Sequence, residues 1–128
     1  MEILDKKWIV TWDDVESFIR EVIAYFREKD IPISGVYGIP RGGLILASIL
    51  SYKMDIPMLM APHRDCIIID DIADSGETLL HYSRNTSGGG EDKGYHIVTM
   101  FYQEKSAVVP EYYNYVKKNV WIVYPWEE

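Results

Sequence analysis

The segment CIIIDDIADSGETL, from Cys66 to Leu79, decides how the rest of the chain is interpreted. It opens with a continuous apolar, β-branched run of the kind that is buried on both faces of a parallel sheet. Two adjacent acids, Asp70 and Asp71, end this run, and Gly76 then leads into a sequence with a helical pattern. The segment therefore predicts a buried strand, a tight loop and a helix over 76–84.

The loop after this strand contains the residue types that bind a phosphorylated sugar. The amides of residues 75–78 and the hydroxyls of Ser75 and Thr78 can converge on a phosphate at the start of a helix. Asp70 and Asp71 then face the sugar, because carboxylates accept hydrogen bonds from ribose hydroxyls and supply the oxygen ligands that Mg²⁺ prefers. We therefore predict a loop that binds phosphate and magnesium.

Two other interpretations of this segment are weaker. In the first, Asp70 and Asp71 only solubilise a strand end while Asp74 or Ser75 caps a helix. A cap needs one such residue, however, and the segment supplies three acids and two hydroxyls within one turn. In the second, the paired acids form the pocket of a phosphorylated receiver domain, but those acids are expected near the start of the chain.

The flanking sequence alternates between strand and helix patterns. Asp13 or Asp14 can cap a helix with apolar residues at helical spacing, which should end near Lys29. Strands alternating with helices predict a single α/β domain with a mostly parallel sheet and ligands at the carboxyl ends of its strands. The other predicted elements are strands over 8–12, 34–39, 57–61, 66–70, 95–102 and 119–124, a helix over 44–54, turns over 40–43 and 62–65, and a flexible glycine-rich linker over 87–94.

Composition narrows the class of protein. At 128 residues the chain fits one domain, and a net charge of −7 argues against a nonspecific nucleic-acid binder. The single cysteine, Cys66, is predicted to be a small buried hydrophobe. No apolar stretch is long enough for a membrane span, so we expect a cytoplasmic protein with no membrane or nucleic-acid partner.

Several segments resemble a known family. CIIIDDIADSGETL resembles the phosphoribosyl pyrophosphate motif of type I phosphoribosyltransferases, and other segments look like the bacterial xanthine-guanine branch of that family. These are WIVTWDDV at 8–15, GIPRGGLILASIL at 38–50 and WIVYPWE at 121–127. The resemblance covers nearly the whole chain. It implies a type I phosphoribosyltransferase fold, with a central, mostly parallel sheet flanked by helices and a small C-terminal hood.

The resemblance also implies residue roles. Asp70 and Asp71 match the acids that hold the ribose hydroxyls and magnesium, directly or through ligand and water. Asp74 matches an acid close to the purine imidazole nitrogen, and these three acids are the expected catalytic residues. The expected phosphate-binding residues are Arg41, Gly42 and Gly43 for pyrophosphate and Asp74, Ser75, Gly76, Glu77 and Thr78 for the 5-phosphate. In the family the peptide before the arginine is often cis, which here would be the bond between Pro40 and Arg41.

The expected base pocket lies at the C-terminal end. The segment containing Trp121 and Ile122 resembles the family's purine pocket, and Trp121 is the candidate that stacks on the base; its alternative is a core tryptophan. The family places a lysine near the 6-oxo group of the purine, at the position of Gln103 here. Either Gln103 itself or Lys105, two residues on, is expected to read the base.

The implied reaction is transfer of the 5-phosphoribosyl group of phosphoribosyl pyrophosphate to a 6-oxopurine (xanthine, guanine or hypoxanthine) with magnesium and release of pyrophosphate. A homo-oligomer is expected. Related enzymes carry a long mobile lid loop where this chain has only Pro62 to Asp65. Two alternatives therefore stay open: a weakly active or inactive protein that senses the ligand, and a transferase with another acceptor. His63, His81 and His96 lack metal-ligand spacing, and Ser83 and Ser106 lack a visible catalytic partner.

Overall fold

The computed structural model describes residues 2–4, 6–83 and 94–127. The predicted linker over 87–94, apart from Gly94, and the predicted helix end at Arg84 lie outside these residues. The strands are β1 (Glu2–Leu4), β2 (Lys7–Ile9), β3 (Val36–Gly38), β4 (Ile67–Ala73), β5 (His96–Tyr102), β6 (Tyr112–Val116) and β7 (Trp121–Val123). The helices are α1 (Trp12–Glu28), α2 (Gly42–Met54) and α3 (Glu77–Ser83), followed after β7 by a 3-10 turn over Pro125–Glu127.

The main sheet has the strand order β3-β4-β5-β6, and all its pairings are parallel. Its β4 residues are covered on both faces, as predicted from the apolar run. Ile67 and Ile69 pack with the core residues of α1 and α2, whereas Ile68 packs with Leu79 of α3. The α/β fold with a parallel sheet between helices is therefore confirmed.

Helix α1 begins earlier than its acids suggest. Thr11 is the N-cap: its hydroxyl accepts from the amide of Asp14, whose carboxylate in turn accepts from the amide of Thr11. The predicted caps Asp13 and Asp14 lie in the first turn instead, where their charge favours the helix N-terminus. The buried face is the predicted one and comprises Val15, Phe18, Ile19, Val22, Ile23 and Phe26.

The hood is a second sheet built from both ends of the described chain. Its order is β1-β2-β7, with β1 antiparallel to β2 and β2 parallel to β7. The ring of Trp8 on β2 packs edge-on against Phe101 of β5 at 5.1 Å, which joins the hood to the main sheet. The predicted C-terminal hood is thus correct in position. It also contains an N-terminal hairpin of β1 and β2, where the sequence analysis predicted a single strand over 8–12.

Two strand predictions are corrected. The predicted strand over 57–61 is reduced to one bridge between Val36 and Met58, and Met60 is almost fully exposed (99%), so no regular pairing continues there. Strand β6 has no counterpart among the predicted elements, yet it is the fourth strand of the main sheet. Within the described ranges, the helices are too short or too polar to cross a membrane.

Candidate active site

A cleft of about 820 Å³ opens at the carboxyl ends of the main-sheet strands, beneath the hood. Its size falls within the range of small-molecule sites. The walls come from three parts of the chain: the turn before α2, the acids that end β4, and the C-terminal aromatic segment. The lining residues are Pro40, Arg41, Gly42, Ile45, Asp70, Asp71, Ile72, Asp74, Lys117, Trp121, Ile122, Tyr124, Trp126 and Glu127.

Asp70 and Asp71 lie at the floor of this cleft. Although both fall within β4, their side chains are only partly buried, and the amide of Asp71 donates to Oδ1 of Asp70 at 2.8 Å. Burial, and then the neighbouring carboxylate of Asp71, raises the pKa of Asp70; burial also raises the pKa of Asp71. The raised pKa values mean that negative charge on the two adjacent acids is unfavourable, and a proton or a cation at this position would relieve it.

The turn before α2 lies directly against these acids. The bond between Pro40 and Arg41 is cis, as the resemblance implies, and Arg41 is exposed at the start of the helix. A Cβ on Gly42 would collide with Oδ2 of Asp71, and one on Gly43 would collide with the carbonyl oxygen of Ile69. The two glycines therefore let this turn approach the acids closely. As a result, Arg41 and the carboxylates of Asp70 and Asp71 line the same cleft.

Gly43→Ala is expected to damage both stability and ligand binding. Its new Cβ would meet the Ile69 carbonyl and lie 3.2 Å from the Cα of Asp70, so the turn or the end of β4 must move. Overpacking of this kind destabilises by about 1–3 kcal/mol. Urea unfolding and calorimetric titration with phosphoribosyl pyrophosphate measure the two effects. Ser48→Ala, on the exposed face of the same helix, is the control, and equal behaviour of the two variants would contradict the close-approach argument.

The loop from Asp74 to Thr78 forms a smaller cavity of about 140 Å³ beside the main cleft. Gly76 has a φ of +80°, and a Cβ there would lie 2.5 Å from the hydroxyl oxygen of Ser106, so only glycine fits this turn. The Ser75 hydroxyl accepts from the amide of Glu77 at 3.3 Å and caps α3. The cavity is lined by the residues predicted to bind the 5-phosphate, namely Asp74, Ser75, Gly76, Glu77 and Thr78, together with Asp70, Ile72 and Leu79.

Aromatic side chains form the hood side of the cleft. Trp121 is 67% exposed and has no ring partner among the described residues, whereas Trp126 stacks on Tyr124 at 4.8 Å. The alternative of a core tryptophan is therefore wrong for Trp121, and its ring faces are available to a planar ligand. Ile122, the other predicted base contact, is buried and also lines the cleft.

Sequence reasoning missed several residues of the cleft, among them Lys117 and Tyr124. Lys117 lines it with Nζ 3.8 Å from Oδ2 of Asp74, while the predicted base readers Gln103 and Lys105 are absent from its described lining. Tyr124 also lines the cleft; its hydroxyl is buried without a hydrogen-bond partner among the described residues. Burial, and then the acids Asp71 and Asp70, raises the pKa of Tyr124.

The remaining candidates have no place in the site. Within residues 2–4, 6–83 and 94–127, no group of three or more His, Cys, Asp or Glu side chains is arranged to hold a metal. Cys66 is buried as predicted, and burial raises the pKa of its thiol. His96 is the first residue of β5 and contacts Glu111 at 2.8 Å, whereas the cleft lies at the other end of the strands.

Comparisons with known proteins agree with this arrangement. No protein-family model matches the sequence. A xanthine-guanine phosphoribosyltransferase of Vibrio parahaemolyticus is 24% identical, and the alignment covers 97% of this chain and 91% of that protein. This alignment spans 149 positions, more than the 128 residues of the chain, so the relative carries segments without a counterpart here.

Two solved structures have the same fold over almost their whole length. A purine phosphoribosyltransferase from Pyrococcus horikoshii superposes with a TM-score of 0.78 at 29% identity, covering 96% of this chain and 95% of that one. A Helicobacter pylori xanthine-guanine-hypoxanthine phosphoribosyltransferase superposes with a TM-score of 0.77 at 17% identity, covering 94% and 93%. The chain thus has the fold of the type I phosphoribosyltransferases. In sequence it is similar over nearly its whole length to purine members of that family, including a bacterial xanthine-guanine phosphoribosyltransferase.

Proposed function

We propose that the chain is a purine phosphoribosyltransferase that transfers the 5-phosphoribosyl group of phosphoribosyl pyrophosphate to a 6-oxopurine. One observation carries the proposal: a cleft and the smaller cavity beside it bring together the loop over 74–78, the paired acids, the arginine-glycine turn and an exposed tryptophan. The relatives named as xanthine-guanine and purine phosphoribosyltransferases support the same activity.

Each part of the substrate has a proposed contact. The 5-phosphate binds the amides and hydroxyls from Asp74 to Thr78, and the ribose hydroxyls donate to Asp70 and Asp71. Pyrophosphate binds Arg41 and the amides of Gly42 and Gly43, where a guanidinium and backbone donors converge. The base stacks on Trp121 and packs against Ile122.

The donor set of the cleft fits magnesium. Asp70 and Asp71 are two adjacent carboxylates with raised pKa values, so a cation would relieve their buried negative charge. Mg²⁺ is commonly bound by one or two carboxylates, with the remaining ligands supplied by substrate oxygens and water. When bound, the ion would neutralise charge on the departing pyrophosphate.

The reaction breaks the bond from ribose C1 to the pyrophosphate oxygen and forms a bond from C1 to a purine nitrogen, which loses its proton. The proposed role of Asp74 is to accept the proton carried by the imidazole part of the base. Arg41 stabilises the negative charge that develops on pyrophosphate, while Asp70 and Asp71 stabilise the cationic ribose. Positioning and charge therefore provide the catalysis, and no covalent enzyme intermediate is required.

A direct assay tests this function. Pyrophosphate release from phosphoribosyl pyrophosphate is measured with guanine, xanthine, hypoxanthine, adenine or a pyrimidine as acceptor, with thermal stabilisation by each ligand recorded in parallel. We expect release with a 6-oxopurine in the presence of Mg²⁺, with weaker base binding than a family member bearing lysine at the position of Gln103. Better turnover with adenine or a pyrimidine would overturn the proposed acceptor class.

A ligand sensor is the second candidate, and one observation favours it. The connection over 62–65 is a tight turn in which the amide of Cys66 donates to the carbonyl of His63 and that of Ser34 to the carbonyl of Asp65, both at 3.1 Å. This turn is too short for a closing lid. Stabilisation by phosphoribosyl pyrophosphate without pyrophosphate release for any base would favour the sensor. We propose a cytoplasmic protein in either case.

A further inference from the structure

We propose that Lys117, acting together with Asp74, reads the 6-oxo edge of the purine and makes the cleft select 6-oxopurines over adenine. The inference rests on the proposed function and adds to it the residue that chooses the base. It moves this role from Gln103 or Lys105, the residues suggested by the sequence, to the neighbouring strand β6.

The sheet register brings the relevant positions together. The last registered row of the main sheet joins Ala73 of β4, Tyr102 of β5 and Val116 of β6. The next residue on each strand therefore lies at the carboxyl edge, where ligands of parallel sheets bind. In strand order, these residues are Asp74, Gln103 and Lys117.

Lys117 is held in place to reach into the cleft. Its amide donates to the carbonyl of Tyr102 at 2.9 Å, which fixes the backbone at the end of β6. Its side chain is only 18% exposed, and its Nζ lies 3.8 Å from Oδ2 of Asp74, two strands away. The ammonium group and the carboxylate therefore stand side by side in the same cleft as Trp121.

The chemistry of this pair matches a 6-oxopurine. An ammonium group only donates hydrogen bonds, and an ionised carboxylate only accepts them. The O6 atom of guanine or hypoxanthine is an acceptor beside N7, whereas adenine presents an amino donor at the same place. A 6-oxopurine with its proton on N7 thus offers an acceptor to Lys117 and a donor to Asp74, but adenine sets a donor against Lys117.

Gln103 would select the other class of base. A glutamine amide can donate to N7 and accept from the 6-amino group, the pairing that recognises adenine. The structure keeps Gln103 out of the described cleft lining, and its Oε1 atom is buried without a partner among the described residues. The side chain that faces the base is therefore the lysine, and adenine selection through Gln103 is disfavoured.

A purely structural ion pair is the competing explanation. The side chain of Asp74 is about half exposed (49%), and ion pairs that are open to water contribute little to stability. Such a pair does not account for a lysine whose side chain is mostly buried at the edge of a ligand cleft. The two explanations also differ in what they predict: a structural pair affects stability with every ligand, whereas a base reader affects only the choice of base.

Lys117→Met is the test, with Lys118→Met as the matched control because Lys118 is exposed and carries the same charge. Binding of guanosine monophosphate and adenosine monophosphate is measured by calorimetry, and KM and kcat for guanine by pyrophosphate release. We expect Lys117→Met to weaken guanosine monophosphate and raise the KM for guanine by about 10- to 100-fold. Adenosine monophosphate binding should change by less than about 3-fold, because adenine presents an amino donor at the place where guanine presents its O6 acceptor, and the control should match the wild type.

Two further results separate the inference from the proposed function. Gln103→Met alone should leave the guanosine-to-adenosine ratio unchanged, because the Gln103 side chain lies outside the described lining of the cleft, and a clear loss of guanine preference in that variant would contradict the inference. An unchanged guanosine-to-adenosine ratio in Lys117→Met, with wild-type protein that binds both ligands and phosphoribosyl pyrophosphate, would overturn the role of Lys117 and leave the proposed function intact. Wild-type protein that binds none of these ligands would instead overturn the proposed function and the inference with it.

Discussion

The double variant Asp70→Asn/Asp71→Asn is expected to lose phosphoribosyl transfer while its ligand-free form becomes more stable. Two carboxylates that are proposed to hold the ribose and magnesium would be replaced by neutral amides, and loss of such charge stabilisation lowers turnover by about 10³-fold or more. The fold should survive, because both side chains line the cleft. The side-chain oxygen of an asparagine at position 70 can also still accept from the amide of residue 71, as Oδ1 of Asp70 does.

The stability gain should grow with pH. Burial, with the nearby carboxylate, raises the pKa of Asp70 in the folded protein, so the folded state retains a proton that the unfolded chain has lost. Between the ordinary carboxyl range and that raised pKa, the folded state binds more protons than the unfolded state. The stability of the wild type therefore falls as pH rises through this window. An asparagine does not titrate and removes this loss.

The effect is measured by thermal unfolding of the ligand-free protein at about pH 5 and about pH 8, two values that span most of this window. The difference in Tm between the double variant and the wild type should be larger at the higher pH. Glu28→Gln/Asp30→Asn changes the charge equally at two exposed positions and serves as the control. Full retention of transfer would refute the site assignment, and a Tm difference that is constant with pH would refute the buried-acid argument.

Turnover of the purified protein is expected to be far below about 10 per second, a typical enzyme value. The turn over 62–65 is hydrogen-bonded to Ser34 and Cys66 and contributes no residue to the described lining of the cleft. Water can then reach the cationic ribose, since lids normally exclude it. Binding of phosphoribosyl pyrophosphate should persist, because Arg41 and the loop from Asp74 to Thr78 do not depend on a lid.

Pyrophosphate and nucleotide are quantified in the same steady-state reaction with guanine. Excess pyrophosphate over nucleotide would report ribose lost to water. Specific activity that rises with protein concentration would indicate that a neighbouring subunit covers the cleft, as a homo-oligomer allows. A monomer that turns over about 10 times per second, with one pyrophosphate per nucleotide, contradicts the expectation.

The sequence predicted best where one local pattern was sufficient. The apolar run ending in Asp70 and Asp71 predicted β4 and its burial on both faces, and Gly76 predicted the turn into α3. Both signals are short-range, because a strand, a loop and a helix start follow each other without interruption. The Thr11 cap was missed because three residues that can cap a helix, Thr11, Asp13 and Asp14, lie close together. Only the backbone geometry identifies the one that caps.

Features that depend on pairing between distant segments were not visible. Residues 112–116, YYNYV, are all partly buried and lack an alternating pattern, so only the preference of tyrosine and valine for strands indicates β6. Lys117 follows that strand and is next to Lys118 and Asn119, which resemble a solvated turn. Its position beside Asp74 follows from the register of three strands, and a single sequence does not specify that register.

The parallel pairing of Lys7–Ile9 with Trp121–Val123 also sets an order of assembly. The part from Val36 to Ala107, which contains the proposed phosphate-binding loop, can form before that last pairing, since β4 pairs with β5 and the carbonyl of Ser75 accepts from the amide of Ala107. The base-binding half must wait until the last strand is made and returns to the first, across nearly the whole described chain, where loop-closure entropy is largest. During synthesis, the proposed phosphate-binding loop can therefore form before the proposed base pocket.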